Sequence, residues 1–253
     1  TGMQVEKLGH FAVRSVPGLH KDGSELVLIF AALQFDLPTG GSSSVPPAIR
    51  LSEEQPPLLD ADQYYGAPGL SSLRAEAQVA YARQGTDVYV DGEAWAPAGR
   101  PVDTVQVEVA AGRCRKRVVV LGARRWRRGL LGSAITSPEP FTSMPLRAER
   151  AFGGAVADAA GPPQYEPRNP VGCGLYRNER AAQDQPLPNV EDPDALIHEL
   201  HDRPPPALLG PCARSWQPPS SRVARICLIM PCTSSWSATS PSSCCGVTIP
   251  VVP

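Results

Sequence analysis

The chain has 253 residues, of which 42% are apolar, enough to bury a sizeable core in one large domain or two smaller ones. Its 24 lysines and arginines balance 25 aspartates and glutamates, which excludes both a strongly basic polyanion binder and a charge-rich disordered protein. The longest apolar run, residues 26–33, is much shorter than the roughly 20 residues of a membrane-spanning helix, and no secretory signal is visible. We therefore expect a cytoplasmic protein without a membrane anchor.

Aliphatic runs and alternating patterns predict β-strands along much of the chain. Residues 25–30 predict a buried strand that becomes half-exposed over 33–37, and residues 87–92 predict another. Over residues 105–109, valines alternate with Gln and Glu, which places the valines on one face of a strand. The following aliphatic segment, 115–121, completes a predicted hairpin.

Only two short segments have helical patterns. Residues 72–81 begin with a serine that could cap a helix, and residues 193–201 follow a candidate cap at Asp192. The 29 prolines and 22 glycines favour turns over long helices. The predicted fold is mainly β, with sandwich-like antiparallel sheets, long ordered loops and few short helices.

The composition changes near the C-terminus. No acidic residue follows Asp202, and four of the seven cysteines lie in the last 27 residues, at Cys227, Cys232, Cys244 and Cys245. Four thiols can form a zinc site or disulfides, but no Cys-x-x-Cys pair is present. We therefore predict a β-rich domain over residues 1–217 and an irregular tail over 218–253 that is translated out of frame or disordered.

Cationic side chains are dense on both sides of Trp126. Together they could grip phosphates while the indole stacks on a base, which would make a nucleic-acid-binding module. The alternative, which we favour, is an exposed strand edge or a contact for an acidic protein, because Lys and Arg commonly protect such edges. The cations are Arg113, Arg115, Lys116, Arg117, Arg124, Arg125, Arg127 and Arg128.

Two further groups could carry chemistry. Asp87 and Asp91 point to the same face of the predicted strand and could share a proton, as in a β-rich hydrolase. His198 and His201 are three apart on the predicted second helix, a spacing compatible with zinc. Turn-flanking aspartates are common for local reasons, and further histidines occur only near the N-terminus. We therefore predict no catalytic residue, no metal site and no cofactor.

Seven segments of the middle of the chain, in a fixed order, resemble a family of bacterial proteins, the domain of unknown function DUF2169. They include Glu149-Arg150-Ala151-Phe152-Gly153-Gly154, Asn169-Pro170-Val171-Gly172-Cys173-Gly174 and Leu187-Pro188-Asn189-Val190-Glu191. The others are residues 86–97, 120–126, 140–146 and 206–211, the last leading to Trp216-Gln217-Pro218.

The resemblance implies a non-catalytic adaptor or chaperone, encoded beside type VI secretion genes, that helps load a secreted effector onto a spike protein of the VgrG or PAAR type. It marks twelve positions as candidate binding residues. We expect the aromatic ones to be core residues first and the glycines to fix long loops. The twelve positions are Asp87, Arg124, Trp126, Phe141, Arg150, Phe152, Gly153, Gly154, Asn169, Asn189, Glu191 and Trp216.

Two departures from the family pattern stand out. The family has Gly-Asp-Arg where this chain has Gly122-Ala123-Arg124, so Arg124 lacks its expected acidic neighbour. The family also continues beyond Pro218 with Gly-Thr-Tyr-Asp and Asp-Phe-Asp segments, which do not occur here. Since the acid-free tail begins at the same place, a frameshift is the explanation we predict.

Overall fold

The computed structural model describes residues 9, 11–36, 50–79, 88–111, 114–129, 132–156, 163–211 and 244–249. It divides into two compact units. The first unit comprises Thr1–Gln63 and Ala75–Gln84, and the second comprises Tyr64–Arg74 and Gly85–Pro253. Among the described residues, no helix has the length and apolar character needed to cross a membrane.

The first unit is built on an antiparallel hairpin of β1 (Ala12–Leu19) and β2 (Glu25–Ala32). Its turn is stabilised by the Asp22 carboxylate, which accepts hydrogen bonds from the backbone N–H and the hydroxyl of Ser24. A shorter ladder joins β3 (Phe35–Asp36) to β4 (Arg50–Leu51).

The predicted strand over 25–37 is confirmed in part, as β2 and β3 with a break at residues 33–34, and residue 37 lies outside the described residues. The prediction that its first part is buried is wrong. Along β2, exposed and half-buried residues alternate, and Ile29 is 58% exposed. Within the described residues, β2 pairs with β1 alone, and none of its residues is fully buried on either face.

A four-stranded sheet organises the second unit, in the order β17, β9, β8, β18. The hairpin of β8 and β9 confirms the one predicted from the valine alternation, and β17 extends it antiparallel. The strand β18 pairs parallel with β8. The bounds of these strands are β8 (Thr104–Ala111), β9 (Cys114–Leu121), β17 (Val190–Glu191) and β18 (Cys244–Ile249).

Short two-stranded ladders complete the described strands. The pairs β5–β6, β7–β12, β10–β11, β13–β16 and β14–β15 are of this kind, and β13–β16 is parallel. Their bounds are β5 (Gln63–Tyr64), β6 (Leu73–Ala75), β7 (Glu93–Trp95), β10 (Trp126–Gly129), β11 (Gly132–Ile135), β12 (Ser143–Pro145), β13 (Phe152–Gly153), β14 (Ala155–Val156), β15 (Gln164–Tyr165) and β16 (Cys173–Gly174).

Helices are few and short. The α-helix α1 (Glu179–Ala182) begins after Asn178, whose side chain accepts from the backbone N–H of Ala181. Pro97–Gly99 and Ala148–Arg150 form single 3₁₀ turns. The predicted mainly β fold, with antiparallel sheets and few short helices, is confirmed.

Three predicted elements are wrong. The first predicted helix, 72–81, contains the strand β6, along which Leu73 and Ala75 are buried and Arg74 is exposed. The predicted strand over residues 87–92 is replaced by β7, which starts at Glu93, and residue 87 lies outside the described part of the chain.

The second predicted helix, 193–201, is a series of turns. The carboxylate of Glu191 accepts from the backbone N–H of Ile197, and Asp202 accepts from those of His198 and Glu199. These N–H groups are bonded to side chains and not to the carbonyl groups that a helix would supply.

Of the predicted irregular tail, the structure describes only β18, so most of 218–253 lies outside the described residues. That this tail is out of frame stays a prediction.

Two apolar clusters form the core of the second unit. The larger is centred on valines of β8 and β9 and includes Phe141. The smaller contains Trp126, Phe152, Ala182, Leu187, Ile197 and Leu200. The segment around β17 contributes to both clusters, with Val190 in the larger and Leu187 in the smaller.

Candidate functional site

The described family-motif residues are mostly buried in the second unit. Ten of the twelve candidate positions are described, whereas Asp87 and Trp216 lie outside the described residues. Nine of the ten are buried, and Arg150 is the exposed one. The buried residues are Arg124, Trp126, Phe141, Phe152, Gly153, Gly154, Asn169, Asn189 and Glu191.

The centre of this group is an ion pair between Arg124 and Glu191. Their side chains are 8% and 1% exposed, and one Nη of Arg124 donates to the Glu191 carboxylate. The same Nη donates to the carbonyl oxygen of Pro188 at 2.7 Å, and the second carboxylate oxygen of Glu191 accepts from the N–H of Ile197 at 2.9 Å. The pair thereby ties the segment after β9 to residues 188–197, which are distant from it in sequence.

Glu191 also supplies the acidic partner of Arg124 that the family pattern has at the position of Ala123. The counter-charge of Arg124 comes from a residue 67 positions further along the chain. The Nε of Arg124 is buried and has no hydrogen-bond partner among the described residues. The Arg124 guanidinium is therefore only partly satisfied.

Asn189 joins the end of β9 to the start of the motif around Arg150. Its amide nitrogen donates to the carbonyl of Leu121 at 3.0 Å, and its amide oxygen accepts from Arg150 at 3.1 Å. Its backbone N–H donates to the carbonyl of Arg150 at 2.8 Å. A side-chain amide can bridge two chain segments in this way because it offers a donor and an acceptor at once.

Asn169 forms a similar bridge to the 3₁₀ turn Ala148–Arg150 and to β13. Its amide nitrogen donates to the carbonyls of Ala148 at 2.8 Å and Phe152 at 3.0 Å. The backbone passes so close that a Cβ on Gly153 would clash with the Asn169 carbonyl oxygen, and Gly154 has a φ of 103°. The expectation that these glycines fix the loop shape is confirmed.

The aromatic candidates are core residues, as expected. Trp126 and Phe152 are each 2% exposed and Phe141 is 9% exposed. The Trp126 indole therefore presents no open face for stacking on a base. Among the described cations, Arg115, Lys116 and Arg117 are exposed on β9, whereas Arg127 and Arg128 are exposed on β10.

Asp91 lies in a second polar group, beside a small pocket. Its carboxylate accepts from the Tyr65 hydroxyl, and the Nε of Arg74 is 3.8 Å from it. Burial and, next, the hydrogen bond to Asp91 raise the pKa of Tyr65 to about 12. The Arg147 guanidinium lies 3.8 Å from the centre of the Tyr65 ring. The pocket is lined by Tyr65, Ser72, Leu73, Val90, Leu146, Arg147, Ala148, Leu208, Gly210 and Pro211.

In this second group the Tyr65 hydroxyl is hydrogen-bonded, and the Asp91 carboxylate already has Tyr65 and Arg74 as partners. Because Asp87 is outside the described residues, the two-carboxylate arrangement of the hydrolase hypothesis is not tested. Within the described residues, no group of three or more His, Cys, Asp or Glu side chains converges as metal ligands would, and His198 and His201 are part of no such group.

Sequence reasoning missed three features of this region. The backbone N–H and hydroxyl of Ser72 both bond to Glu149 at 2.7 Å. Arg168 makes a two-pronged pair with Glu166, at 2.6 and 2.9 Å. Burial raises the pKa of the Cys173 thiol to about 11. Glu149 and Cys173 lie inside recognised motif segments, which was the available signal.

A family model described as an uncharacterized protein conserved in bacteria, DUF2169, matches residues 22–226. Because the match covers most of the chain, the protein belongs to this family, and the resemblance of its motifs is confirmed. No curated protein gives a significant match to the chain. No solved structure gives one either.

Proposed function

We propose that this member of DUF2169 is a non-catalytic cytoplasmic adaptor or chaperone. Its partners are a secreted effector and a spike protein of the VgrG or PAAR type, as the association of the resembling family with type VI secretion genes implies. Nucleic acid and membranes are not among the partners that we propose.

The observation that carries the proposal is the use made of the family's polar residues. Arg124, Asn169, Asn189 and Glu191 are all at most 8% exposed, and each bonds to another motif residue or to the backbone of a loop. Groups held in this way shape loops, which supports a binding role for those loops. Rigidly held loops on a β scaffold suit the binding of a partner.

The surface supports the same function. In the second unit, Leu70 is 82% exposed and Trp95 is 45% exposed. In the first unit, Leu19, Ile29 and Phe35 are at least half exposed. Exposed apolar side chains are candidate contacts for a partner protein, and Leu70 and Trp95 are the two that we use to test the proposal.

The test is a pull-down of the tagged full chain with the proteins encoded by the neighbouring genes. We expect the chain to retain an effector or a spike protein, and Trp95→Ser with Leu70→Ser to reduce retention. Arg180→Ser, a change on the exposed face of α1, is the matched surface control and should leave retention unchanged.

Two results would overturn the proposal. One is the absence of any retained effector or spike protein together with turnover of a substrate that Asp91→Asn abolishes. The other is binding of DNA that weakens steeply with salt and disappears when Arg125, Arg127 and Arg128 are replaced.

A further inference from the structure

We infer that the outer edge of β9 is a docking site for an extended, acidic segment of a partner protein, which adds to the sheet as a strand. The inference rests on the proposed function in one respect, that the chain binds a protein. It names the surface and the chemistry of the segment. The surface, called the β9 edge below, consists of the outward-facing backbone groups and the side chains of Arg115 and Arg117.

The backbone N–H and C=O groups along β9 point alternately towards β8 and away from it. The N–H of Leu121 donates to the carbonyl of Asn189 at 2.7 Å, on the side of β17, and the next residue, Gly122, donates to Asp103 on the side of β8. In a strand, alternate residues direct both backbone groups to the same side. The N–H and C=O groups of Val119, Arg117 and Arg115 therefore point away from β8.

The short strand β17 covers only part of the side of β9 that faces away from β8. It pairs with Val119 and Val120 and ends at Glu191. Two positions later comes Pro193, which has no N–H to continue the ladder, and the chain turns back in a bridge between Asp192 and Ala195. Among the described residues, none bonds to the backbone of Arg115 or Arg117.

The side chains along the open edge carry positive charge. Arg115 and Arg117 are both exposed cations. Glu108 of the hairpin lies opposite Arg117 and accepts from Arg115 at 2.8 Å, so two arginines stand against this one carboxylate. The edge therefore keeps a positive balance, which complements an acidic segment.

The same charges exclude a second copy of this chain as the occupant. If two copies paired through their β9 edges, Arg115 and Arg117 of one would lie beside the arginines of the other, and like charges directly across a ladder are destabilising. An acidic strand is favoured because it gains main-chain hydrogen bonds and opposite charges together, the usual mode of β-strand addition.

The probe is a fluorescein-labelled peptide of about eight residues in which Glu and Thr alternate, long enough to span the open edge. Binding to the full chain is followed by fluorescence anisotropy. We expect Arg115→Glu with Arg117→Glu to weaken binding at least about tenfold. Arg127→Glu with Arg128→Glu, an equal charge change on β10, is the matched control and should weaken it less than about twofold.

A second variant tests the backbone bonds without changing the hairpin. Because the N–H of Arg117 points outwards, Arg117→Pro removes an edge donor but no bond to β8. We expect the circular dichroism spectrum to be retained and peptide binding to be lost more strongly than in Arg117→Gln, which removes the charge but keeps the N–H.

Several outcomes would overturn the inference. They are equal binding of a Lys-Thr peptide, equal loss in both double variants, undiminished binding to Arg117→Pro, or tighter binding of a single-stranded DNA of the same length. The pull-down separates this inference from the proposed function. Retention of an effector or spike protein by the Arg115→Glu, Arg117→Glu chain overturns the docking site alone, whereas peptide binding without retained partners overturns the proposed function alone.

Discussion

The two long hairpins of this protein are similar in strand length and aliphatic content but differ in how far their side chains are buried. Both pair eight-residue strands antiparallel, and both are rich in aliphatic residues. In the β8–β9 hairpin, Val118 and Val120 are completely buried, because the larger apolar cluster packs against that face. In the β1–β2 hairpin, Ile29 is 58% exposed and Leu19 is 65% exposed. The comparison shows that aliphatic content determines that a strand forms, whereas burial depends on what packs against it.

The largest expected difference between the two units concerns their ion pairs. Glu191→Ala leaves the Arg124 charge buried without a partner, so we expect a loss of about 3–5 kcal/mol in the free energy of unfolding, measured by urea titration. Asp60→Ala breaks the exposed pair between Arg14 and Asp60 in the first unit and should leave the unfolding midpoint unchanged.

The double variant Arg124→Met with Glu191→Leu sharpens this first prediction. Removing both charges avoids the unpaired cation, so the double variant should be more stable than Glu191→Ala. A Glu191→Ala chain as stable as the wild type would show that the ion pair does not hold the loops.

A pair of glycines gives the next largest difference. Gly153→Ala places a Cβ against the backbone carbonyl of Asn169 and should cost about 3 kcal/mol, since backbone atoms must move. Gly23, in the turn of the β1–β2 hairpin, has a φ of 85° and open space around it, so Gly23→Ala should cost only about 1 kcal/mol. Urea midpoints of the two variants in the reverse order would contradict the close packing assigned to β13.

Truncation of one aliphatic residue in each hairpin tests burial directly. Val118→Ala removes two methyl groups from a fully buried site and should cost about 2 kcal/mol. Ile29→Ala, on an exposed face, should change the free energy of unfolding by less than about 0.5 kcal/mol. Comparable losses would mean that the β1–β2 hairpin is covered as fully as the β8–β9 hairpin.

The smallest expected effect depends on pH and on the partly buried thiol of Cys173. Burial raises its pKa from 9.0 to about 11, so the folded chain keeps the thiol proton more tightly than the unfolded chain does. The contribution is constant below pH 9 and is lost as the pH rises from 9 to 11, because only the unfolded thiol ionises in that window.

At pH 10 this loss amounts to about 1 kcal/mol relative to Cys173→Ala, whose stability lacks this titration. Urea titrations of both chains at several pH values measure it. A stability difference between the two chains that stays constant from pH 8 to 11 would show that the thiol is accessible to water.

Local patterns in the sequence were sufficient for part of the fold. The alternating valines predicted the β8–β9 hairpin, and the aliphatic run predicted the position of β2. The helix predicted over 72–81 was wrong because Glu149, distant in sequence, bonds to the N–H and hydroxyl of Ser72 and β6 pairs with β5. The helix predicted over 193–201 was wrong because nearby carboxylates bind its N–H groups.

The motif residues illustrate the same division for the candidate site. From the sequence alone, the family motifs marked candidate residues and the local patterns indicated strands and turns, since glycine conformations and strand periodicity are local properties. The pairing of Arg124 with Glu191 and the bridging of separate segments by Asn169 and Asn189 were found in the three-dimensional fold alone. These roles depend on contacts between residues many positions apart, and neither periodicity nor spacing encodes which distant groups will share a desolvated site.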